Sequence, residues 1–262
     1  KSEFRKSNGA VTTPEHIVHN TIDSTVPSEY LQSLTNQQIL DLKFLDPACG
    51  SGVFLVSIYD HLATQIESNI EERKDVLPHR YLYEKDGKKY LNLEGRKLIV
   101  NQCLHGVDIN QECVEVAKLS LSLKIIDGFE PIDFNNAGLY GSQILHGVGV
   151  NIKCGNSLVE PDILERFSCI SENLEELAAT NVFDYKTAFC DIFSRGGFDY
   201  VIGNPPYVEV KNYNVALPCM SAYIKQRYGS SRNGKIDLAI PFIERGIELL
   251  NEHGSLGYIV QK

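Results

Sequence analysis

The chain has no excess of positive charge: its 34 acidic residues outnumber 25 basic ones, giving a formal net charge of −9. That balance argues against a surface evolved to wrap phosphates, so any nucleic-acid reading has to rest on a particular site. No apolar run approaches the ~20 residues needed to span a bilayer. The opening KSEFRKSNGA lacks the apolar stretch of a signal peptide, and the cytoplasm is the expected location. The seven cysteines, at 49, 103, 113, 154, 169, 190 and 219, contain no C-x-x-C pair of the kind that suggests zinc or a redox dithiol, and reduced core thiols are expected. The seven histidines form no ligand cluster, and there are no repeats or low-complexity tracts. The chain starts at Lys1, and its last residues, GSLGYIVQK, read as the middle of a sheet, so a piece of a longer protein is expected.

What is present suits one large globular domain, or one domain with an appendage: 262 residues, 43% of them hydrophobic. Short apolar runs alternate with amphipathic stretches, the pattern of βαβ units and a parallel sheet covered on both faces. Five strands are expected, at LKFLD, LHGVDIN, VNIKCGNSL, FDYVIG and GSLGYIV. Leu55, Tyr59, Leu62 and Ile66 form one apolar helical stripe, and Val114, Ala117, Leu121 and Ile125 form another. DLAIPFIERGIELL is the last expected helix. A polar, weakly periodic segment at about 68–98 reads as an insertion, and a second loose stretch, roughly 160–195, carries the helix candidate ISENLEELAA.

DPACGSG, residues 46–52, follows the first expected strand and precedes a helix, where ligands bind in open α/β sheets. Gly50 and Gly52 let the backbone approach a ligand closely, and free N–H groups at the helix start favour a carboxylate or phosphate. The Lys-Ser/Thr pair of a Walker loop is missing, as is the third glycine of the dinucleotide fingerprint. A nucleotide is the expected ligand; the competing reading is a tight turn with Asp46 as a helix cap. Asp108 ends the second expected strand, placed either to accept from ribose hydroxyls or to cap the helix starting near Gln111. Its distance from the glycines exceeds the usual spacing, which the insertion accounts for.

In FDYVIGNPPY, residues 198–207, a short apolar strand stops abruptly at a glycine, an asparagine, two prolines and a tyrosine. Asn204 would project an amide oxygen, an acceptor that stays neutral at every pH, into the same crevice. Pro205 and Pro206 have no N–H, so they stiffen the turn and leave its carbonyls free to accept. Two converging acceptors suit an NH2 group conjugated to a ring or carbonyl, which is planar and poorly nucleophilic. Hydrogen bonds from both its protons draw the nitrogen toward tetrahedral geometry and free the lone pair for in-line attack. Tyr207 offers a ring on which a planar base can stack. The chemistry expected is group transfer to an exocyclic amine, without a metal or a protein nucleophile. Taken alone, the tetrapeptide reads better as a rigid turn with a structural tyrosine.

DPACGSG and NPPY together resemble the S-adenosylmethionine-dependent amino methyltransferases, particularly the N6-adenine DNA methyltransferases, and the match covers most of the chain in family order. The resemblance implies a doubly wound, Rossmann-like α/β methyltransferase fold with a mostly parallel sheet that stops before its last strands. GAVTTPEHIV is similar to the family's N-terminal motif, which implies Thr13 and Pro14 at the methionine end of the cofactor. By the same likeness Asp46, Pro47, Ala48, Gly50 and Gly52 line the cofactor, and Asp108, followed by Ile109, meets its ribose. Asn156, Ser157 and Leu158 fall near its adenine, where the family often has an aspartate in place of Asn156. Asn204, Pro205, Pro206 and Tyr207 form the catalytic loop.

The motif order resembles the gamma class, and the insertion and RYGSSRNGKIDL resemble the methylation half of Eco57I-type restriction-modification proteins. Residues 1–40 are then a helical extension carrying the TP motif and 41–262 the catalytic domain, with the target-recognition domain and its basic surface outside this chain. The implied partner is double-stranded DNA with the target adenine flipped out of the duplex. No membrane partner is implied, and the oligomeric state is left open.

Some features are set aside. Cys219 follows a proline, as the cysteine of C5-cytosine methyltransferases does, but its position differs and a buried thiol is expected. Glu209 and Lys211 form an E-x-K directly after NPPY that reads as a solvated loop rather than a nuclease site. Lys225, Arg227, Arg232 and Lys235, interleaved with Tyr223 and Tyr228, are the best basic and aromatic patch, either touching DNA phosphates or merely solvated. Two rival functions stand beside the DNA enzyme. Protein-glutamine and some RNA methyltransferases carry NPPY after the same cofactor turn. A non-catalytic module binding S-adenosylmethionine or DNA would have no use for Asn204 and Tyr207.

Overall fold

A computed structural model describes residues 13–73, 75–129, 146–208, 217–231 and 237–260. In chain order its strands are β1 (Phe44–Asp46), β2 (Leu82–Lys85), β3 (Lys88–Leu91), β4 (Leu104–Asp108), β5 (Ile152–Cys154), β6 (Phe198–Gly203) and β7 (Leu250–Tyr258). Five of them form one sheet in the order β5-β4-β1-β6-β7, all pairs parallel, and β2 and β3 form a separate antiparallel hairpin. The five expected strands are the five of this sheet, and the doubly wound α/β class holds. Leu104, His105, Gly106 and Val107 are all buried, as a strand covered on both faces requires.

The helices used below are α1 (Glu15–Thr25), α2 (Ser28–Ser33), α3 (Asn36–Asp41), α4 (Val53–Glu72), α5 (Leu93–Cys103), α6 (Gln111–Ile126), α7 (Leu174–Thr180), α8 (Pro218–Arg227) and α9 (Ala239–Leu249). Both helical stripes read from spacing face the core. Leu55, Tyr59, Leu62 and Ile66 of α4 are no more than 3% exposed, and Val114, Ala117, Leu121 and Ile125 of α6 no more than 1%. Each leucine, isoleucine or valine among them contributes ~1.5–3 kcal/mol of transfer free energy. The helices start by different means. Thr35 and Gln38 form a capping box on α3, Asn110 accepts from Glu112 N on α6, and α4 begins from Gly52 with no side-chain cap.

Three local features depart from expectation. The weakly periodic segment at about 68–98 contains the end of α4, the β2–β3 hairpin and the start of α5. Its turn is Asp86-Gly87, both at positive φ (52° and 73°), the geometry of a two-residue hairpin turn. ISENLEELAA is broken at Asn173, which accepts from Glu176 N and so starts α7 afresh. β7 begins at Leu250, ahead of the GSLGYIV run, and reaches its register with β6 through an irregularity between Phe198 and Tyr200.

The cysteines are not uniformly reduced core thiols. Cys49 and Cys103 are buried and free, but Cys190 is exposed and Cys219 is disulfide-bonded. Which thiols meet is decided by packing, which spacing along the chain does not report. The basic and aromatic patch is also reassigned. Tyr223 and Tyr228 are fully buried; the first donates to Asp162 Oδ1 and the second to Leu158 O at 2.9 Å. Arg227 pairs with Glu248 at 2.7 Å and with Glu160 at 3.3 Å. These residues anchor the loop after β5, so Arg227 is already neutralised. Glu209, Lys211, Arg232 and Lys235 lie outside the described residues, as do residues 9–12 of the N-terminal motif. Among the described residues no helix is long and apolar enough to cross a membrane.

Candidate functional site

The chain leaves β1 toward β4 and β5 on one side and returns to β6 and β7 on the other, so the carboxyl ends of β1 and β6 flank the topological switch point. The two strand ends touch. A Cβ added to Gly203, the last residue of β6, would lie 2.5 Å from Asp46 Oδ1, the last residue of β1. The turn 47–52 and the turn 204–207 therefore rise side by side from adjacent strands.

In the first turn Asp46 is 1% exposed, and its Oδ1 accepts from Ala48 N at 3.0 Å, so it latches the turn and does not cap α4. Gly50 has φ 53°, its N–H donates to Asp108 Oδ2 at 2.9 Å, and a Cβ on it would meet nothing within 4 Å among the described residues. The turn is open at that point. Gly52, at φ 85°, is different: a Cβ there would lie 3.1 Å from Ala117 Cα. Its lack of a side chain lets α4 approach α6, a packing role beside the ligand approach expected of both glycines. Asp108 uses its other oxygen to accept from Asn110 N at 2.9 Å, while the cap of α6 is Asn110 itself. Ile109, next to it, is 44% exposed, an uncovered apolar side chain beside the open turn.

The third segment is more structural than its sequence suggests. Asn156 Oδ1 accepts from Leu158 N at 3.1 Å, and its Nδ2 faces Met220 Sδ at 3.4 Å. Ser157 is buried, donates to Pro47 O and accepts from Tyr185 at 2.8 Å, which ties the β5 loop to the first turn. Leu158 is buried in the second core cluster, so the side chains of Ser157 and Leu158 are taken up internally. Ala48 is half-buried, whereas Pro47 is buried.

Burial raises the Asp46 carboxyl to about 8 and lowers His105, in the middle of β4, to about 4. His105 is wedged edge-on between Phe189 and Phe198, with Nδ1 3.2 Å from both Phe44 O and Cys103 O. Burial also shifts Asp108 upward. A raised acid means that the folded state holds a proton the unfolded chain has lost, so stability falls as pH rises from about 4 toward 8. The depressed His105 acts oppositely, adding stability as pH rises from about 4 to 6.5. The two roughly offset below pH 6.5, which leaves a decline of ~2 kcal/mol between about pH 6.5 and 8, at ~1.4 kcal/mol per unit. Asp46→Asn is expected to flatten that decline in urea titrations at stepped pH. An unchanged slope in the variant would assign it elsewhere.

The second turn is held from both sides. Asn204, half-buried, donates from Nδ2 to Thr13 Oγ1 at 3.0 Å. The Tyr207 hydroxyl lies 2.8 Å from Asn204 Oδ1 and 2.8 Å from Ile259 O, so one phenolic proton faces two acceptors. Pro205 is buried and Pro206 half-buried. Pro14 is exposed at the N-cap position of α1. The fold thus brings Thr13, Asn204 and Tyr207 into one cluster and Gly50 and Asp108 into another. Sequence reasoning missed Ile259 O, Tyr185 and Met220. An ordinary carbonyl, a tyrosine and a methionine carry no signal until packing places them.

A parallel sheet running 3-2-1-4-5 in chain order, with a glycine turn on its first strand and an Asn-Pro-Pro-Tyr turn on the fourth, defines a Rossmann-like methyltransferase domain. The chain belongs to the Eco57I restriction-modification methylase family, whose model matches residues 102–262. The type II restriction enzyme and methyltransferase RM.Eco57I of Escherichia coli is 29% identical over 255 residues, covering 95% of this chain and 23% of that protein. The adenine-specific methyltransferase PglX of Streptomyces coelicolor is 24% identical over 259 residues, covering 97% of this chain and 18% of that protein. The chain therefore spans less than a quarter of the length of either. Among solved structures, the type IIL restriction-modification enzyme MmeI, in complex with DNA, superposes with a TM-score of 0.53 at 16% identity, covering 93% of this chain and 29% of that one. The type ISP enzyme LlaGI, bound to a DNA substrate mimic, gives 0.51 at 17% identity, covering 95% and 18%. At these identities the structures share the fold.

Proposed function

We propose that this chain is the methyl-transfer part of a DNA methyltransferase that moves a methyl group from S-adenosylmethionine to N6 of an adenine flipped out of duplex DNA, within a restriction-modification system. The observation that carries the reading is the contact between strand ends: Asp46 packed on Gly203 sets the glycine turn and Asn204 side by side. The residues present fit the donor. Gly50 has no described residue against its open face, Asp108 is pinned next to it with carboxylate lone pairs to spare for ribose hydroxyls, and exposed Ile109 offers an apolar face to a purine. When bound, the cofactor supplies an electrophilic methyl group on a sulfonium.

The protein's task is then to prepare the amine. Asn204 Oδ1 and a carbonyl of the proline turn accept its two N–H groups and weaken conjugation with the ring. Once the lone pair is directed in line, the new N–C bond forms as the C–S bond breaks, and one proton leaves the nitrogen for solvent. No base strong enough to deprotonate the neutral amine beforehand is required. Tyr207 presents its ring to the base. Adenine-specific and restriction-modification relatives favour DNA over a glutamine side chain.

The test is transfer of a labelled methyl group by the full-length protein, offered DNA free of adenine methylation or a glutamine-containing peptide. Label on adenine N6 of the DNA alone is expected. Label on the peptide would move the assignment to protein methylation, and donor and DNA binding with no transfer to either would favour a regulatory module.

A further inference from the structure

The amide of Asn204 is bracketed by hydroxyls, with Thr13 at its nitrogen and Tyr207 at its oxygen. Hydroxyls both donate and accept, so neither contact dictates which end of the amide is which. Rotated by half a turn, the amide would keep both partners. Thr13 would donate to the amide oxygen, and Tyr207 would accept from the nitrogen while sending its single proton to Ile259 O, already 2.8 Å away. Toward a target amine the two orientations are opposites: one offers a lone pair, and the other sets N–H against N–H.

The ambiguity disappears once the Thr13 proton is committed. If that hydroxyl donates to an anion, its oxygen can only accept toward Asn204, the amide must turn its NH2 to Thr13, and the oxygen is left for the amine. We propose that Thr13 is a positioning residue that sets the orientation of the Asn204 amide, and that the anion which sets Thr13 is the carboxylate at the amino-acid end of the donor. The inference rests on the donor assigned under Proposed function. Thr13 and Asn204 are 191 residues apart, yet one hydroxyl links donor occupancy to readiness of the acceptor site. Free enzyme populates both amide orientations, and the donor selects the productive one.

The experiment uses the full-length protein and a duplex that it methylates. Duplex affinity is measured alone, with S-adenosylhomocysteine, and with 5′-methylthioadenosine, which lacks the amino-acid end. In the wild type, S-adenosylhomocysteine is expected to raise affinity ~10-fold more than methylthioadenosine, within the range of ordinary site coupling. Thr13→Val should lose that difference when the nucleosides are compared at saturation, should bind S-adenosylhomocysteine about 10-fold more weakly because the hydrogen bond to the carboxylate is gone, and at saturating donor its kcat should fall ~10²-fold. Thr13→Ser, which keeps the hydroxyl, should restore all three.

Coupling that survives in Thr13→Val, or a wild type in which the two nucleosides act alike, overturns the proposal. So does a Thr13→Val variant that loses S-adenosylhomocysteine binding altogether, since Thr13 would then be a donor ligand and nothing more. A wild type that binds neither nucleoside and methylates no duplex refutes the donor assignment itself, and this inference with it.

Discussion

Asn204→Ala is expected to lower kcat for methyl transfer by about 10²–10³-fold, the ~2.7–4 kcal/mol associated with loss of one preorganised polar group at a reacting centre. Donor affinity should change little, because Gly50, Asp108 and Ile109 stand at the ends of β1 and β4, and Thr13 keeps its hydroxyl for the donor when the Asn204 amide is removed. The measurement is single-turnover transfer of labelled methyl alongside calorimetric titration of S-adenosylhomocysteine. The split between the two is the informative result. A variant that retains near-normal turnover would remove the amide from the chemistry. One that loses donor binding in proportion to turnover would make Asn204 a structural support of the donor site, and its contacts to Thr13 and Tyr207 would then be ordinary packing.

Arg245→Ala is expected to destabilise the fold by about 3 kcal/mol, seen as a drop of roughly 6–12 °C in Tm. Arg245 is 4% exposed and bridges Glu160 at 2.9 Å and Glu248 at 3.0 Å, with its guanidinium 5.1 Å from the centre of the Tyr185 ring. Removing it leaves Arg227 to neutralise both carboxylates. The value falls at the low end for a broken buried pair because Nε of Arg245 has no partner among the described residues, so its desolvation is not fully offset even now. The consequence reaches the site, since Glu160 follows the Asn156–Leu158 loop that Tyr228 and Tyr185 also fasten. Arg227→Ala, at a more exposed position, should cost ~1 kcal/mol. Equal losses for the two arginines in thermal and urea unfolding would contradict this division of labour.

The same network shows where reading residues in order stops working. Arg227, Tyr223 and Tyr228 looked like a basic and aromatic surface because charge and aromaticity are properties of single residues. Whether they meet solvent depends on which carboxylates fold against them, and Glu160 and Glu248 come from other elements. The hairpin at Asp86-Gly87 was legible in principle, since that dipeptide favours positive φ at both positions. The surrounding lysines and glutamate masked its alternation.

The positions of the five strands of the main sheet, the two helical stripes and the placing of the glycine and Asn-Pro-Pro-Tyr turns at strand ends were all readable from the chain alone. They follow from short-range rules: apolar periodicity matches the pitch of the element, proline fixes φ at its own position and glycine opens positive φ at its own. The roles within the site were decided only by the folded molecule. Gly52 serves helix packing against Ala117, Asp46 is a buried latch with a raised carboxyl, and Thr13 meets Asn204 across 191 residues of chain. Contacts of that kind arise from the stacking order of the sheet, and the energy of a partner far along the chain leaves no periodic mark at either end.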